Sequence, residues 1–330
     1  MRLDDFPRYR LIHAPTPLEP LERLQKFLGG PKLYVKRDDC AGLAFGGNKS
    51  RKLEFLLGEA LQTGATTLIT DGGLQSNHAR QTAAAAAKAG LKCHLVLADN
   101  VQIKGQTYRS GGNVLLDRLL GADIHFCTHG ETRVELIERL ILELQARGDT
   151  PFYIPTGGSS ATGALGYVSA MLELLEQAER SLIKIDRVVV ASVSGGTQAG
   201  LLVGNELAQA GVSVTGVHIG GDPEGVAQNV QIIANACLRK LKRQRAFAQN
   251  EIEIVRGYAE PGYGLVNSGM IEAVKRLAVL EGLFVDPVYS GKALAALFEM
   301  VRSGEIGQDE TVVFIHTGGT PALFAYADIF

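Results

Sequence analysis

Short apolar runs alternate with longer amphipathic segments along almost the whole chain. Runs rich in β-branched residues predict strands at residues 33–36, 67–70, 94–97, 124–126, 152–154, 187–191, 213–218 and 311–315. Apolar residues at helical spacing predict helices at residues 52–61, 77–89, 114–120, 133–147, 164–180, 198–209, 224–248, 268–281 and 291–302. Because the strands are almost continuously apolar, we expect parallel sheets with helices on both faces. The predicted class is α/β with right-handed crossovers.

Length and composition mainly exclude some classes of protein. A chain of 330 residues is longer than one hydrophobic core usually serves, so two lobes are expected. The formal net charge of −2 gives no electrostatic reason to expect nucleic acid or an anionic membrane as a partner. No apolar run approaches the roughly 20 residues that span a bilayer, and the N-terminus lacks the apolar region of a signal peptide. The four scattered cysteines favour reduced thiols, and the cytoplasm is the expected location.

The clearest chemical signal is a turn of small residues after the predicted strand 187–191. Gly195 and Gly196 would let the backbone approach a ligand closely, and Ser194 and Thr197 add hydroxyl donors. The backbone N–H groups of a helix N-terminus attract an anion, so the turn suits one phosphate group. The alternative is a plain strand-to-helix turn. The spacing does not match the G-x-G-x-x-G pattern of dinucleotide-binding proteins.

A second signal is a lysine behind a glycine pair, at residues 46–49. Asn48 can cap a helix whose first turn contains Lys49, and Arg51 and Lys52 follow closely. A helix N-terminus is a poor place for cations, so the dipole and the crowded like charges should lower the pKa of Lys49 from its usual value of about 10.4. A neutral amine is what Schiff-base chemistry requires. The alternative is a solvated basic helix start.

A third signal follows the strand 67–70, at the start of an alanine-rich helix. Ser76 could donate to a carboxylate and Asn77 to a phenolic oxygen, whereas His78 is more typical of a structural hydrogen bond. Such turns at the carboxyl ends of parallel strands are where α/β sheets bind ligands. Further polar, glycine-containing turns are predicted at residues 261–264, 286–292 and 316–319.

In this order, the segments resemble the fold-type II pyridoxal phosphate enzymes, in the group that contains D-cysteine desulfhydrase, 1-aminocyclopropane-1-carboxylate (ACC) deaminase and L-cysteate sulfo-lyase. The resemblance covers essentially the whole chain and is carried by residues 16–18, 36–39, 46–49, 75–78, 194–200, 286–289 and 316–319. It implies two parallel-sheet α/β domains of the tryptophan synthase β type, with pyridoxal 5′-phosphate in the cleft between them. The implied large domain is 1–51 with 162–330, and the implied small domain is 52–161. The family is usually homodimeric.

The resemblance also implies roles for individual residues. Lys49 would be the Schiff-base lysine and the proton shuttle at Cα, and Asn77 would hydrogen-bond the 3′ oxygen of the cofactor. Lys52 would lie near the phosphate, and Thr317 near the ring nitrogen. The residues implied to cradle the phosphate are Val193, Ser194, Gly195, Gly196 and Thr197.

Three further residues are implied to face the ring or the substrate. Tyr289 would lie against the pyridine ring, Tyr263 would face the substrate, and Ser76 would bind the substrate carboxylate or assist proton transfer. A neutral hydroxyl at the ring nitrogen weakens the electron sink, which favours prompt elimination over transamination. The expected reaction is an α,β-elimination from a small amino acid that yields pyruvate and ammonia.

The identity of the substrate is narrowed by two positions. ACC deaminases of this group typically have Glu after the ring tyrosine and Leu in the last glycine-rich turn, where this chain has Ser290 and Thr317. These hydroxyl residues favour D-cysteine, with L-cysteate next and ACC third. L-cysteate sulfo-lyases share the segments 38–40, 76–82 and 287–290. Arg80 could assist a sulfonate, but an arginine on the helix surface is the plainer interpretation.

Three other classes are weighed against this one. A non-catalytic phosphate- or cofactor-binding module needs the 194–197 turn but not Lys49. A serine hydrolase would need a G-x-S-x-G elbow, which is absent from the sequence. A metal enzyme would need a ligand set, and the close pair His125 and His129 has no third ligand beside it, so no metal is expected.

Overall fold

The computed structural model describes residues 2–99, 101, 103, 105–127 and 132–330. In chain order its strands are β1 (Leu18–Pro20), β2 (Lys32–Arg37), β3 (Thr67–Gly73), β4 (Lys92–Ala98), β5 (Asp123–Phe126), β6 (Pro151–Ile154), β7 (Arg187–Ser192), β8 (Ser213–His218), β9 (Ile254–Val255) and β10 (Thr311–His316). Its helices are α1 (Glu22–Leu28), α2 (Asn48–Gln62), α3 (Asn77–Ala89), α4 (Gln106–Ser110), α5 (Gly112–Leu119), α6 (Arg133–Ala146), α7 (Ala161–Arg180), α8 (Gly196–Ala208), α9 (Pro223–Lys240), α10 (Ser268–Glu281), α11 (Ser290–Arg302) and α12 (Pro321–Ala325).

The strands form two separate sheets. The six-stranded sheet has the order β1-β2-β10-β7-β8-β9, and the four-stranded sheet has the order β5-β4-β3-β6. Every strand pair is parallel except β1 with β2. The α/β class with two parallel-rich sheets, predicted from the continuous apolar runs, is confirmed.

The apolar runs are continuous because both faces of each sheet are covered. In β7, Val188 and Val190 pack into one core and Val189 packs into a second core on the opposite face. In the four-stranded sheet, Leu68 and Ile69 divide in the same way between two cores. Adjacent residues of a strand point to opposite faces, so a strand that is buried on both sides is apolar at most of its positions.

All eight predicted strands are present, and the differences lie in short elements and helix ends. The strands β1 and β9 were not predicted, because runs of three and two residues carry no periodicity. The predicted helix 224–248 is wrong at its end, because α9 stops at Lys240. There Lys242 adopts a left-handed φ of 57°, and the N–H of Arg243 donates to the carbonyl of Leu238. This is a Schellman cap, which terminates a helix.

Helix α2 connects the two sheets. Its first turn is tied to the six-stranded side, where the buried guanidinium of Arg51 pairs with Asp38 and Glu173. Further along, Leu53 and Leu57 are fully buried in the core that packs on the four-stranded sheet. One rigid helix therefore belongs to both halves of the molecule.

The predicted domain boundary between residues 51 and 52 falls inside α2. All strands of the four-stranded sheet lie within residues 52–161, the predicted small domain. The exact boundaries stay a prediction. Across the described residues, no helix has both the length and the apolarity needed to cross a membrane.

Candidate active site

A cavity of about 370 Å³ lies where the carboxyl ends of strands from both sheets meet. Its walls come from the turns that follow β3, β6, β7 and β10, as expected for ligand sites in α/β sheets. The predicted site residues that line it are Lys49, Ser76, Asn77, Val193, Ser194, Gly195, Thr197, Tyr263, Tyr289 and Thr317. Of the two remaining predicted residues, Gly196 belongs to the 193–197 turn, and the Nζ of Lys52 would lie 3.0 Å from a Cβ on Gly196.

The amine of Lys49 reaches the cavity from the first turn of α2. Its Nζ donates to the side-chain oxygen of Asn48 at 3.0 Å. The pKa of Lys49 is lowered to about 8, mainly because the amine is buried; the carboxylate of Asp286 opposes this shift, and the positive charge of Arg80 adds to it. A substantial share of the amine is therefore neutral near pH 8, as a nucleophilic lysine requires.

The lowered pKa was predicted, but for a partly different reason. The sequence suggested crowding by Arg51 and Lys52, whereas burial is the largest cause in the structure. Arg51 points away and pairs with Asp38. The like charge that acts on Lys49 comes from Arg80, on another helix.

The turn between β7 and α8 is built as an anion site would be. Gly195 has a left-handed φ of 81°, and α8 starts at the next residue. A Cβ on Gly196 would lie 2.8 Å from the hydroxyl of Ser159 and 3.0 Å from the Nζ of Lys52. The side chain of Thr197 accepts from the amide of Asn48 at 2.9 Å, which links the turn to the lysine helix.

A second glycine-rich turn, at residues 156–159, faces the first and was not predicted. The hydroxyl of Ser159 donates to Ser194 at 2.8 Å and accepts from the N–H of Gly196 at 3.3 Å. The Nζ of Lys52 donates to the carbonyl of Gly157 at 3.0 Å. The sequence carried a signal, because this turn follows the predicted strand 152–154. Its pairing with the 194–197 turn depends on sheet topology.

Lys52 is a buried amine. Burial lowers its pKa well below the ordinary value, and the charge of Lys49 lowers it further. Its hydrogen-bond partners, one carbonyl and one hydroxyl, carry no negative charge. An anion in the neighbouring turn would favour the charged form of Lys52.

The start of α3 supplies two polar groups. The hydroxyl of Ser76 caps the helix by accepting from the N–H of Ala79 at 3.1 Å. The amide of Asn113 donates to the side-chain oxygen of Asn77 at 2.8 Å, which leaves the amide nitrogen of Asn77 to donate into the cavity. Asn113 was not predicted, because its contact is made between two helices.

His78 is held in one tautomer. The hydroxyl of Thr70 donates to the carbonyl of Ile154 at 2.7 Å, so it accepts from Nε2 of His78 at 2.8 Å. The Nδ1 atom is buried without a partner among the described residues. Burial lowers the pKa of His78 well below its ordinary value. This neutral, structural histidine agrees with the prediction from sequence.

The two predicted tyrosines form a partly buried pair on one wall of the cavity. The hydroxyls of Tyr263 and Tyr289 are in direct hydrogen-bond contact, and the rings meet edge to face with centroids 5.8 Å apart. Burial raises the pKa of both phenols, more strongly for Tyr289. Both therefore stay protonated at neutral pH and can act as hydrogen-bond donors.

The loop before α11 fixes Tyr289 and the hydroxyl pair next to it. The buried carboxylate of Asp286 accepts the N–H groups of Val288, Tyr289 and Ser290 at 2.8 to 2.9 Å. The hydroxyl of Ser290 lies 3.0 Å from that of Thr317. Thr317 thus presents a neutral hydroxyl to the cavity.

Two expectations about other residues change. Arg80 is fully buried beneath the lysine turn, so both interpretations, a surface arginine and a partner for a sulfonate, are wrong. His129 lies outside the described residues, and His125 pairs with His94 at 2.9 Å. Within the described ranges, no cluster of three or more metal-ligating side chains occurs.

Comparison with known proteins identifies the family of the chain. Residues 9–318 match the protein family described as "Pyridoxal-phosphate dependent enzyme". The chain belongs to this pyridoxal-phosphate dependent enzyme family. Pyridoxal phosphate is therefore its cofactor.

The cavity suits the family's cofactor on its own geometry. The 193–197 turn lacks room for a Cβ at Gly196 and lies beside the buried amine of Lys52, and both features fit a phosphate group. An amine with a lowered pKa, Lys49, lies in the same cavity and fits an aldehyde. The amide of Asn77 and the hydroxyl of Thr317 fit the polar atoms of the ring.

Individual relatives are similar over their whole length. The chain is 45% identical over 324 residues to proteins named D-cysteine desulfhydrase from Salmonella typhi and Salmonella newport, covering 98% of this chain and 97% of each relative. A solved structure described as an ACC deaminase homologue superposes with a TM-score of 0.89 at 36% identity, covering 99% of this chain and 96% of that one. A solved threonine deaminase shares the fold, with a TM-score of 0.62 at 22% identity over 92% of each chain.

Proposed function

We propose that the chain is a pyridoxal-phosphate dependent carbon–sulfur lyase whose preferred substrate is D-cysteine. The overall reaction converts D-cysteine and water to pyruvate, hydrogen sulfide and ammonia. The observation that carries the proposal is the amine of Lys49, with its lowered pKa, in a cavity that also contains a phosphate-sized turn and a tyrosine pair. The full-length similarity to proteins named D-cysteine desulfhydrase supports the choice of substrate.

Each predicted residue has a task in this reaction. When bound, pyridoxal phosphate supplies the electron sink for negative charge at the substrate's Cα. Lys49 would hold the cofactor through its amine, and the same amine would take the proton from Cα. Ser76, at the start of α3, would donate to the substrate carboxylate, and Asn77 would hydrogen-bond the cofactor's ring oxygen.

The remaining residues hold the other ends of the two ligands. The 193–197 turn would hold the phosphate, with Lys52 as its counter-charge. Tyr289 would pack against the ring, and Thr317 would offer a neutral hydroxyl to the ring nitrogen. Tyr263 and Tyr289 are protonated phenols, so they can donate a hydrogen bond to the departing sulfur of the substrate.

Two related activities differ in what they demand of the cavity. ACC deaminases of the group carry an acidic residue at the position of Ser290, and here the hydroxyl at that position is engaged with Thr317 and Gly318. L-cysteate sulfo-lyase is the second candidate. The guanidinium of Arg133, which lines the cavity and pairs with Asp71 at 2.9 Å, favours an anionic substituent such as a sulfonate.

The test is a substrate panel read by the release of pyruvate. D-cysteine, L-cysteine, L-cysteate, β-chloro-D-alanine and ACC are compared, and D-cysteine is expected to give the highest kcat/KM. A higher kcat/KM for L-cysteate would transfer the assignment to the sulfo-lyase. Release of 2-oxobutanoate from ACC would transfer it to the deaminase.

Two variants test the roles of residues in the same assay. Lys49→Ala is expected to lose both turnover and the visible absorbance of the bound cofactor. Ser76→Ala is expected to keep the absorbance and lower turnover, because its hydroxyl is proposed to contact the substrate and not the cofactor. Full activity of Lys49→Ala would contradict the proposal.

A cytoplasmic location and a homodimer are also part of the proposal. The four cysteines are free thiols in the structure, as is usual in a reducing compartment. The homodimer is the usual assembly of the group that the chain resembles. Sedimentation equilibrium of the purified chain tests the assembly, with a mass near 35.3 kDa contradicting it.

A further inference from the structure

The backbone just before Lys49 has an unusual conformation. Four consecutive residues have left-handed φ angles, namely Ala44 (43°), Phe45 (67°), Gly46 (64°) and Gly47 (120°). Two of them are not glycine, and each non-glycine residue in this region costs free energy that other contacts must offset. The segment leads directly into the first turn of α2, so its shape sets where Lys49 starts.

A buried arginine donates two hydrogen bonds to this segment. The guanidinium of Arg80 donates from Nη1 to the carbonyl of Ala44 at 2.5 Å and from Nη2 to the carbonyl of Gly46 at 3.2 Å. Arg80 is fully buried, and it projects from α3, the helix whose first residue is Asn77. Charge-assisted hydrogen bonds from a planar guanidinium fix direction as well as distance.

The burial of this charge needs a reason other than packing. The carboxylate that acts most strongly on Arg80 is that of Asp117 on α5, which is also fully buried. Among the described residues, neither oxygen of Asp117 nor Nε of Arg80 has a hydrogen-bond partner. An arginine with a purely structural role would be stabilised more by a direct ion pair with Asp117. The guanidinium instead directs two of its donors to the backbone carbonyls of Ala44 and Gly46, just before Lys49.

The same arginine acts on Lys49 by charge. The positive charge of Arg80 is one of the causes of the lowered pKa of Lys49. The other groups that act on this amine are its own burial and the opposing carboxylate of Asp286. Geometry and charge therefore both connect Arg80 to the amine, although it does not line the cavity.

We propose that Arg80 is a positioning residue, which holds residues 44–47 in their left-handed conformation and so places the amine of Lys49 for reaction with the cofactor's aldehyde. This role rests on the proposed function of Lys49. It assigns no contact between Arg80 and the substrate or the cofactor. A purely structural arginine would affect folding and all ligands of the site alike.

The experiment separates covalent capture from non-covalent binding in the cofactor-free chain. Pyridoxal 5′-phosphate is added, trapped with borohydride, and located by peptide mapping, which gives the rate of modification of Lys49. Pyridoxine 5′-phosphate, which has an alcohol in place of the aldehyde, gives the affinity for the same ring and phosphate. For Arg80→Met, we expect capture on Lys49 to slow at least tenfold, while the Kd for the alcohol changes less than threefold.

Two further variants complete the design. Arg80→Lys keeps the charge but reaches one carbonyl instead of two, so an intermediate capture rate is expected, and it serves as the test if Arg80→Met does not fold. The matched control is Arg187→Met. Arg187 is a mostly buried arginine at the start of β7, paired with Glu253 and Glu310 away from the cavity, so its loss should leave capture unchanged.

A rescue variant tests the mechanism itself. Glycine adopts a left-handed φ without strain, so Ala44→Gly should restore capture at least threefold when added to Arg80→Met. Equal losses of aldehyde capture and alcohol binding, an unchanged capture rate in Arg80→Met, or no rescue by Ala44→Gly would each overturn the role of Arg80. Modification of another lysine in the natural chain would instead overturn the proposed function, and the role of Arg80 with it.

Discussion

An amine can attack an aldehyde only after it has lost its proton, and the environment of Lys49 favours that loss. A buried ammonium group loses its hydration, so the neutral form of the amine is stabilised. The sequence could place Lys49 at a positively charged helix N-terminus behind a glycine pair. It could not reveal that Arg51 turns away into an ion pair or that Arg80 arrives from another helix, because both depend on tertiary packing.

The first prediction concerns the pH dependence of cofactor capture. The pKa of Lys49 is lowered to about 8, so the capture rate of the cofactor-free chain should rise with pH and level off above that value. Stopped-flow absorbance between pH 6 and 10 measures the midpoint. A midpoint close to the ordinary lysine value of about 10.4 would contradict the burial of the amine.

The second prediction concerns stability and has a definite sign. Between the native pKa of about 8 and the unfolded value of 10.5, the unfolded chain binds more protons at Lys49 than the native chain. The cofactor-free protein should therefore become more stable as pH rises through this range, by up to about 3 kcal/mol. Lys49→Met should lack this gain. Urea unfolding of both proteins at pH 7.5 and 9.5 measures the difference.

At the scale of elements, the site consists of turns that connect strands to helices. The turns at residues 72–78 and 193–197 were predicted, because small polar residues follow clear apolar runs. The turn at residues 156–159 has the same signal and was missed. The strand order β5-β4-β3-β6 and the way the two sheets face each other decide which strand ends lie side by side. Local hydrophobic periodicity in the sequence does not predict either one.

The third prediction tests the fit of the phosphate turn. Gly196→Ala would place a methyl group 2.8 Å from the hydroxyl of Ser159 and 3.0 Å from the amine of Lys52, so affinity for pyridoxal phosphate should fall at least tenfold. The matched control is Gly269→Ala, in the first turn of α10, where the new methyl group meets only an ordinary contact. Fluorescence titration of the cofactor-free proteins compares the two. Equal affinities would mean that the anion is held elsewhere.

At the scale of the whole molecule, the cavity takes walls from both sheets. The α/β class and the presence of two lobes were predictable from length and from continuous apolar strands. The way in which the two sheets share one cavity was only partly predictable. Residues at the ends of β7 and β10 line the same cavity as residues at the ends of β3 and β6, although these strands belong to different sheets. A ligand there contacts both halves at once.

The fourth prediction follows from this shared cavity. Binding of pyridoxal phosphate at 100 times its Kd should stabilise the chain by about 3 kcal/mol. Hydrogen exchange should slow together in the segments 156–159 and 193–197, which come from different sheets. Protection confined to one of the two segments would contradict a site shared between the sheets.

Helix α2 has a consequence for any attempt to divide the protein. Its first turn is anchored by Arg51 on one side, and its apolar face, with Leu53 and Leu57, covers the other half of the molecule. A fragment cut between residues 51 and 52 would separate Lys49 from the leucines that pack its helix against the core. It would also expose an apolar face to water. The two halves are therefore not interchangeable modules, and expression of either one alone should give insoluble protein.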